Sequence, residues 1–268
     1  MKKALLYLLL FAGVTSISVL CGILLFGVMN DSKAYESWGL DAGDALVYCS
    51  FAAVLLWSSV LTITFYRNRF ASLSFGRMKG NDRFTLSLLC ALATFMIGAV
   101  SYWIHTQLSS YSGNYANTLD IFRNHGLVTF VSLVLLYITT QLVFTGAILR
   151  ELLEWSRHTW TVILLMAAVT SLINLSEGAI GLVMFAFAVA NGALNGWVFF
   201  KTRTIWPIVI GSLVADFALM VFFSNSPGMP VAIASILLLP PVIYAIVRMT
   251  EKYGEKKAES IFHVGWQL

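Results

Sequence analysis

Apolar residues in this chain come in runs of about 20, broken by short polar stretches. They do not alternate apolar and polar as in strands of about ten residues. A run of that length at 1.5 Å per residue matches a hydrocarbon core of roughly 30 Å, so each reads as a membrane-spanning helix. The pattern predicts eight such helices, over 4–29, 45–66, 84–104, 126–149, 159–176, 179–200, 205–223 and 231–249. The predicted fold is an all-α polytopic membrane protein, residues 1–268 forming one integral membrane domain with a short cytoplasmic tail at 250–268. The first run, behind Lys2 and Lys3, is too long for a signal peptide and lacks a small-x-small cleavage site, so it is expected to be retained.

Charge sets the orientation. Fifteen Lys and Arg residues fall on the side of the N-terminus, against only Lys33 and Arg123 on the other. Because basic residues resist translocation, both termini are expected in the cytoplasm, with the chain in the plasma (inner) membrane. Composition agrees: 59% of residues are hydrophobic and 11% charged, where a soluble domain carries about 25% charged residues. The net charge of +4 is explained by basic loops lying on an anionic leaflet of the lipid bilayer, and no nucleic-acid partner is expected. Cys21, Cys49 and Cys90 lie in apolar runs without metal-ligand spacing. Leu20 before Cys21 is wrong for lipidation. His105 and His125, with Asp120 between them, lack a recognised ligand spacing, so neither a metal nor a cofactor is expected. Trp38, Trp103, Trp160 and Trp206 near span ends read as interfacial anchors.

Ionisable groups inside spans cost about 2.5–3.5 kcal/mol or more at mid-bilayer, so those present call for a role. Asp216, in "VIGSLVADFALMVFF", is the clearest. Ser212 shares its face one turn earlier, beside Gly211 and Ala215. Asn191 and Asn195 are likewise four apart in "NGALNG", and the two small-residue faces are expected to pack closely on each other. With Ser171, Asn174, Glu177, Thr139, Thr140 and Gln141, these residues predict one polar interior cluster. Asp216, Asn191, Asn195 and Glu177 are its candidate binding residues. Adjacent Pro240 and Pro241 predict a kink or break in the last helix.

The stretch "FAFAVANGALNGWVFFKTRTIWPIVIGSLVADF" resembles the end of the CAAX-protease and bacteriocin-processing (CPBP, or Abi) intramembrane protease family, over residues 126–223. That family shows an Arg-Thr turn, a Trp-Pro, and a helix bearing His-x-x-x-Asn. Arg203, Thr204, Trp206 and Pro207 match the turn, whereas Ser212 and Asp216 stand at the His and Asn positions. The family's first motif, Glu-Glu-x-x-x-Arg in a setting such as "EELLFRG", aligns with "RELLEW". This puts Arg150, Glu151 and Trp155 at its three positions. The second motif, Phe-x-x-x-His, falls on Thr170 and Asn174, or in a shifted register on Ile173 and Glu177.

The resemblance implies a Glu and a His that activate water, with a His and Asn meeting the oxyanion. His105, His125, His158 and His263 all fall in loops, at span ends or in the tail, so they cannot reach the interior. Arg150 and Glu154 suit an i,i+4 pair on a wet turn. The expectation is a catalytically eroded CPBP-like scaffold or regulator that binds another membrane protein or peptide. Degenerate motif positions are Arg150, Glu151, Asn174, Ser212 and Asp216. The alternatives are an active CPBP-type endopeptidase with divergent residues, and a small ion or solute transporter using Asp216 and the Asn pair.

Overall fold

A computed structural model describes residues 2–66, 80–108, 121, 124–156, 158–172, 179–223 and 229–264. The elements are α1 (Lys2–Ser32), a 3-10 turn (Glu36–Trp38), α2 (Ala42–Tyr66), α3 (Gly80–Leu108), α4 (Gly126–Thr140), a π-helical segment (Gln141–Leu149), α5 (Arg150–Trp155), α6 (Thr159–Ser171), α7 (Ala179–Thr202), α8 (Trp206–Phe223) and α9 (Met229–Val264). Since α4, the π segment and α5 form one continuous rod, the described chain has eight apolar helical rods, the all-α polytopic arrangement that the runs predict. Six are long and apolar enough to cross a membrane, and α6 and α8 are shorter. The last helix continues to Val264, well past the predicted span end at residue 249, so the backbone of the tail is helical that far. It also runs through Pro240 and Pro241 without interruption, so the break expected there does not occur.

Local chemistry fixes the entry to α2. The Asp41 carboxylate accepts from the Asp44 N–H at 2.7 Å, and the Asp44 carboxylate accepts from the Asp41 N–H at 3.1 Å. This reciprocal capping box satisfies donors that the first helical turn leaves without partners. The second Asp44 oxygen meets His125 Nε2 at 2.9 Å, joining the start of α2 to the residue that precedes α4, and Tyr48 sits edge-on to the imidazole. Gly39, at φ 71°, supplies the left-handed residue that closes the 3-10 turn just before.

Lipid tails are as apolar as leucine, so helices in a bilayer associate by close packing more than by expulsion of water. α3 is the hub. In its most apolar stretch 61% of residues are buried, against 6% in α1. It runs parallel to α8, where Gly211 lies against Cys90 and Ala91 and Gly98 against Leu219. It runs antiparallel to α7 through Thr94 with Asn191 and Ser101 with Met184, and it also packs on α9. α7 in turn packs on α6, with Gly192 against Ala167 and Gly196 against Ile163. The two small-residue faces predicted to pack on each other therefore have different partners. Each glycine lies against a helix other than the one expected. On the other flank, α1 meets α2 through Gly22 and Ala53, and the Trp57 indole donates to Thr15 at 2.9 Å.

The tightest of these contacts yields a test. A Cβ at Gly211 would stand 2.8 Å from Cys90 Cβ and 3.0 Å from the Ala91 backbone nitrogen. Gly211→Val should force α8 off α3 and cost about 1–3 kcal/mol. Gly13→Ala, where a Cβ meets nothing within 4 Å, should be neutral or mildly stabilising. Thermal unfolding of the two purified variants in detergent checks the difference. At the α2 cap, Asp44→Ala should cost about 1–2 kcal/mol, more than His125→Ala, because it removes both the capping bond and the His125 partner. The same unfolding assay reads it.

Candidate functional site

The described interior holds a cavity of about 180 Å3 between the α4 rod, α6 and α7. Its polar lining comes from Thr140, Gln141 and Thr145 on the rod, Thr170 on α6 and Asn195 on α7. Apolar walls are supplied by Phe144, Leu149, Ile163 and Met166. Two features shape it. Gly192 and Gly196 let α7 close tightly on Ala167 and Ile163 of α6 along one wall, and the rod changes from α to π geometry at Gln141, within the lining. A π segment bonds i to i+5 and widens the helix, and such segments are frequent at functional sites.

Hydrogen bonds organise the lining. Thr145 Oγ1 donates to Gln141 Oε1 at 2.6 Å, within the rod. Thr170 Oγ1 bonds back to the Met166 and Ala167 carbonyls at 2.9 and 3.1 Å. Asn195 is buried at 8% exposure and contributes its amide. Every polar side chain around this cavity is therefore a neutral hydroxyl or amide. Such groups donate and accept hydrogen bonds but exchange no proton near neutral pH. Among the described residues, no group of three His, Cys, Asp or Glu side chains is arranged to hold a metal ion.

The predicted polar cluster is divided in the structure. Asn195 lines the cavity, whereas the Asn191 oxygen accepts from Thr94 on α3 at 3.1 Å. Asp216 accepts a hydrogen bond from the Tyr137 hydroxyl, which ties α8 to α4 one turn before Gln141. Thr139 turns away to share a 2.6 Å bond with Ser58 of α2. Ser212 is buried on α8, and the Ser171 hydroxyl donates to the Ala167 carbonyl at 2.7 Å. Asn174 and Glu177 lie outside the described residues.

Arg150 and Glu151 begin α5, at the far end of the π segment from Gln141. Arg150 Nε meets Glu154 at 3.3 Å, the i,i+4 pair expected of a wet turn. His158 follows as the exposed residue before α6, its N–H donating to Ser156 Oγ at 3.1 Å. Arg203 belongs to the same end of the bundle. It caps α7 in the left-handed region at φ 56°, its N–H donating to the Phe199 carbonyl at 2.7 Å, and its guanidinium lies 5.4 Å from the Phe200 ring centre. Burial, and next the Arg150 charge, lower the Arg203 pKa from its ordinary value, while Glu154 acts in the opposite sense. Thr204 and Ile205 are fully buried behind it, and Pro207 follows in the first turn of α8, where its missing N–H costs nothing. The Arg-Thr-x-Trp-Pro stretch is thus a tight structural corner.

The predicted polar cluster included Thr140, Gln141 and Asn195 of the cavity, but the motif alignment on "RELLEW" lies ten positions downstream of the cavity's rod residues in "TQLVFTG". There Thr140, Gln141 and Thr145 have the spacing of Glu-Glu-x-x-x-Arg, with Phe144 and Gly146 flanking Thr145 as in "EELLFRG". That Phe-x-Gly frame was the available signal.

Two comparisons return nothing: no curated protein and no solved structure matches this chain. A family model described as type II CAAX prenyl endopeptidase Rce1-like matches residues 123–218. The matched segment runs from just before α4 into α8 and contains the cavity, the Arg203 corner and Asp216. Over that segment, the chain is similar to the Rce1-like, CPBP-type membrane proteins.

Proposed function

We propose that this protein keeps the substrate-holding cavity of a CPBP-type peptidase without its proton-transfer groups. In this reading it acts as a scaffold or regulator that binds a segment of another membrane protein or a membrane peptide. The observation that carries the proposal is the neutral lining of the cavity by Thr140, Gln141, Thr145, Thr170 and Asn195. If the first family motif is set on "TQLVFTG", then Thr140, Gln141 and Thr145 take the places of Glu, Glu and Arg. The second motif then falls on Thr170 and Asn174, where no imidazole is present.

Hydrolysis of an amide needs a base poised near neutrality to take a proton from water, and hydroxyls and amides do not serve. What they do well is bond to backbone. A peptide N–H or carbonyl exposed in hydrocarbon costs several kcal/mol unless it finds a partner. The amides of Gln141 and Asn195 offer both a donor and an acceptor at the cavity. Asp216 is held by Tyr137 and is not among the cavity's lining residues. The charge asymmetry of the sequence supports both termini in the cytoplasm and hence a cavity nearer that face.

The purified protein in liposomes is expected to leave a fluorogenic membrane-peptide reporter uncleaved at the rate of protein-free liposomes. A photo-crosslinking residue at position 145 should capture one defined membrane segment from native membranes, and Asn195→Leu should reduce that capture at least fivefold. Peptidase activity that disappears in Gln141→Ala or Asp216→Ala would instead establish the active-endopeptidase alternative.

A further inference from the structure

A second hollow lies on the outside of the bundle, away from the cavity and independent of how that cavity is read. It occupies about 570 Å3 between α3, α7 and α9, walled by Val100, Phe187, Leu239, Pro240 and Ile243. That volume falls within the roughly 300–1,000 Å3 of ordinary small-molecule sites. Its lining is apolar apart from Tyr244 at one end. In a bilayer a hollow of this kind is filled by hydrocarbon, because water would find no polar partners there.

The end of the hollow marked by Tyr244 and Val247 is where the chemistry changes. One turn beyond Tyr244, Arg248 Nε donates to the Tyr244 hydroxyl at 2.9 Å, and the guanidinium lies 5.6 Å from the ring centre. The phenol thus orients an exposed cation beside the mouth of an apolar groove. A guanidinium is weakly hydrated and grips phosphate oxygens in paired bonds. The bond to Tyr244 uses Nε, which leaves the two Nη groups for such a contact. Exposed Glu251 and Lys252 follow on α9 with opposite charges, so they do not cancel the Arg248 charge.

We propose that this groove is a binding site for one anionic glycerophospholipid. One acyl chain fills the space beside Pro240 and Ile243, and the phosphate is held by Arg248 with Tyr244 orienting it.

Native mass spectrometry of the full chain, loaded with equal amounts of phosphatidylglycerol and phosphatidylcholine of identical acyl chains, tests the assignment. The wild type should retain one phosphatidylglycerol in preference to phosphatidylcholine. Arg248→Gln should lower that preference about fivefold, the effect of one basic residue at a membrane surface. Arg248→Lys should keep part of it. Ile243→Trp, which fills the groove, should remove the tightly held lipid of either headgroup. Lys201→Gln, a cation that lies over the Trp197 ring on α7, should change nothing. Equal retention of the two lipids by the wild type would overturn the proposal. So would equal losses in the Arg248 and Lys201 variants, which would mean diffuse surface charge. Retention unchanged in Ile243→Trp would show that the lipid sits elsewhere. Because Arg248 is exposed, its variants should unfold at the wild-type temperature.

Discussion

A polar atom surrounded by hydrocarbon must find its partner within the protein, and much of this bundle is arranged by that requirement. Asp216 is the strongest case. A carboxyl group placed about halfway along a span would be prohibitive alone, and Tyr137 answers it from α4. That bond ties α8 to the rod one turn before the cavity begins. Ser58 with Thr139 does the same between α2 and α4, and Thr94 with Asn191 between α3 and α7. Each such bond adds only about 0.6 kcal/mol in a membrane. Their value lies in direction: a hydrogen bond admits one rotation of each helix about its axis, which packing of leucines does not specify.

The remaining order comes from glycines and small residues that let backbones approach. Gly211 and Gly98 settle α8 along α3, while Gly192 and Gly196 bring α7 against α6. These approaches hold the cavity walls at a fixed spacing, and Asn195 enters the gap between two glycine contacts. The corner at Arg203 closes the same region from the end of the bundle. A non-glycine residue there is in the left-handed region, where glycine is the usual choice. Its cation rests on Phe200, close enough to Arg150 and Glu154 to feel both charges, and the C-terminal end of α7 favours positive charge as well.

The architecture was legible because bilayer thickness converts directly into run length. The runs beginning at Ala4, Ala45, Phe84 and Gly126 all reappear as helices with ends shifted by a few residues. The Arg150–Glu154 pair was legible for a similar reason, being a matter of i,i+4 spacing. Which helix meets which was not. Small-residue faces say that something packs closely without naming the neighbour, so Gly192 and Gly211 were matched to each other when each has another partner. The motif's place at the cavity was missed for a related reason. Charged residues drew the motif alignment to "RELLEW", while Thr140 and Gln141 were read only as part of a general polar interior cluster. The passage of α9 through Pro240 and Pro241 was also hidden, since sequence shows the lost donors but not the packing that holds the helix together across them.

The π segment has an effect on the rod as a whole. A helix that takes i to i+5 bonds advances by more residues per turn, so side chains on either side of Gln141–Leu149 fall out of phase with an uninterrupted α-helix. The face of α4 that carries Tyr137 toward α8 is thereby out of phase with the face of α5 whose Arg150 charge acts on Arg203. Two azimuths coexist on one rod. Converting the segment back to plain α geometry would rotate one set of contacts away while leaving the other in register.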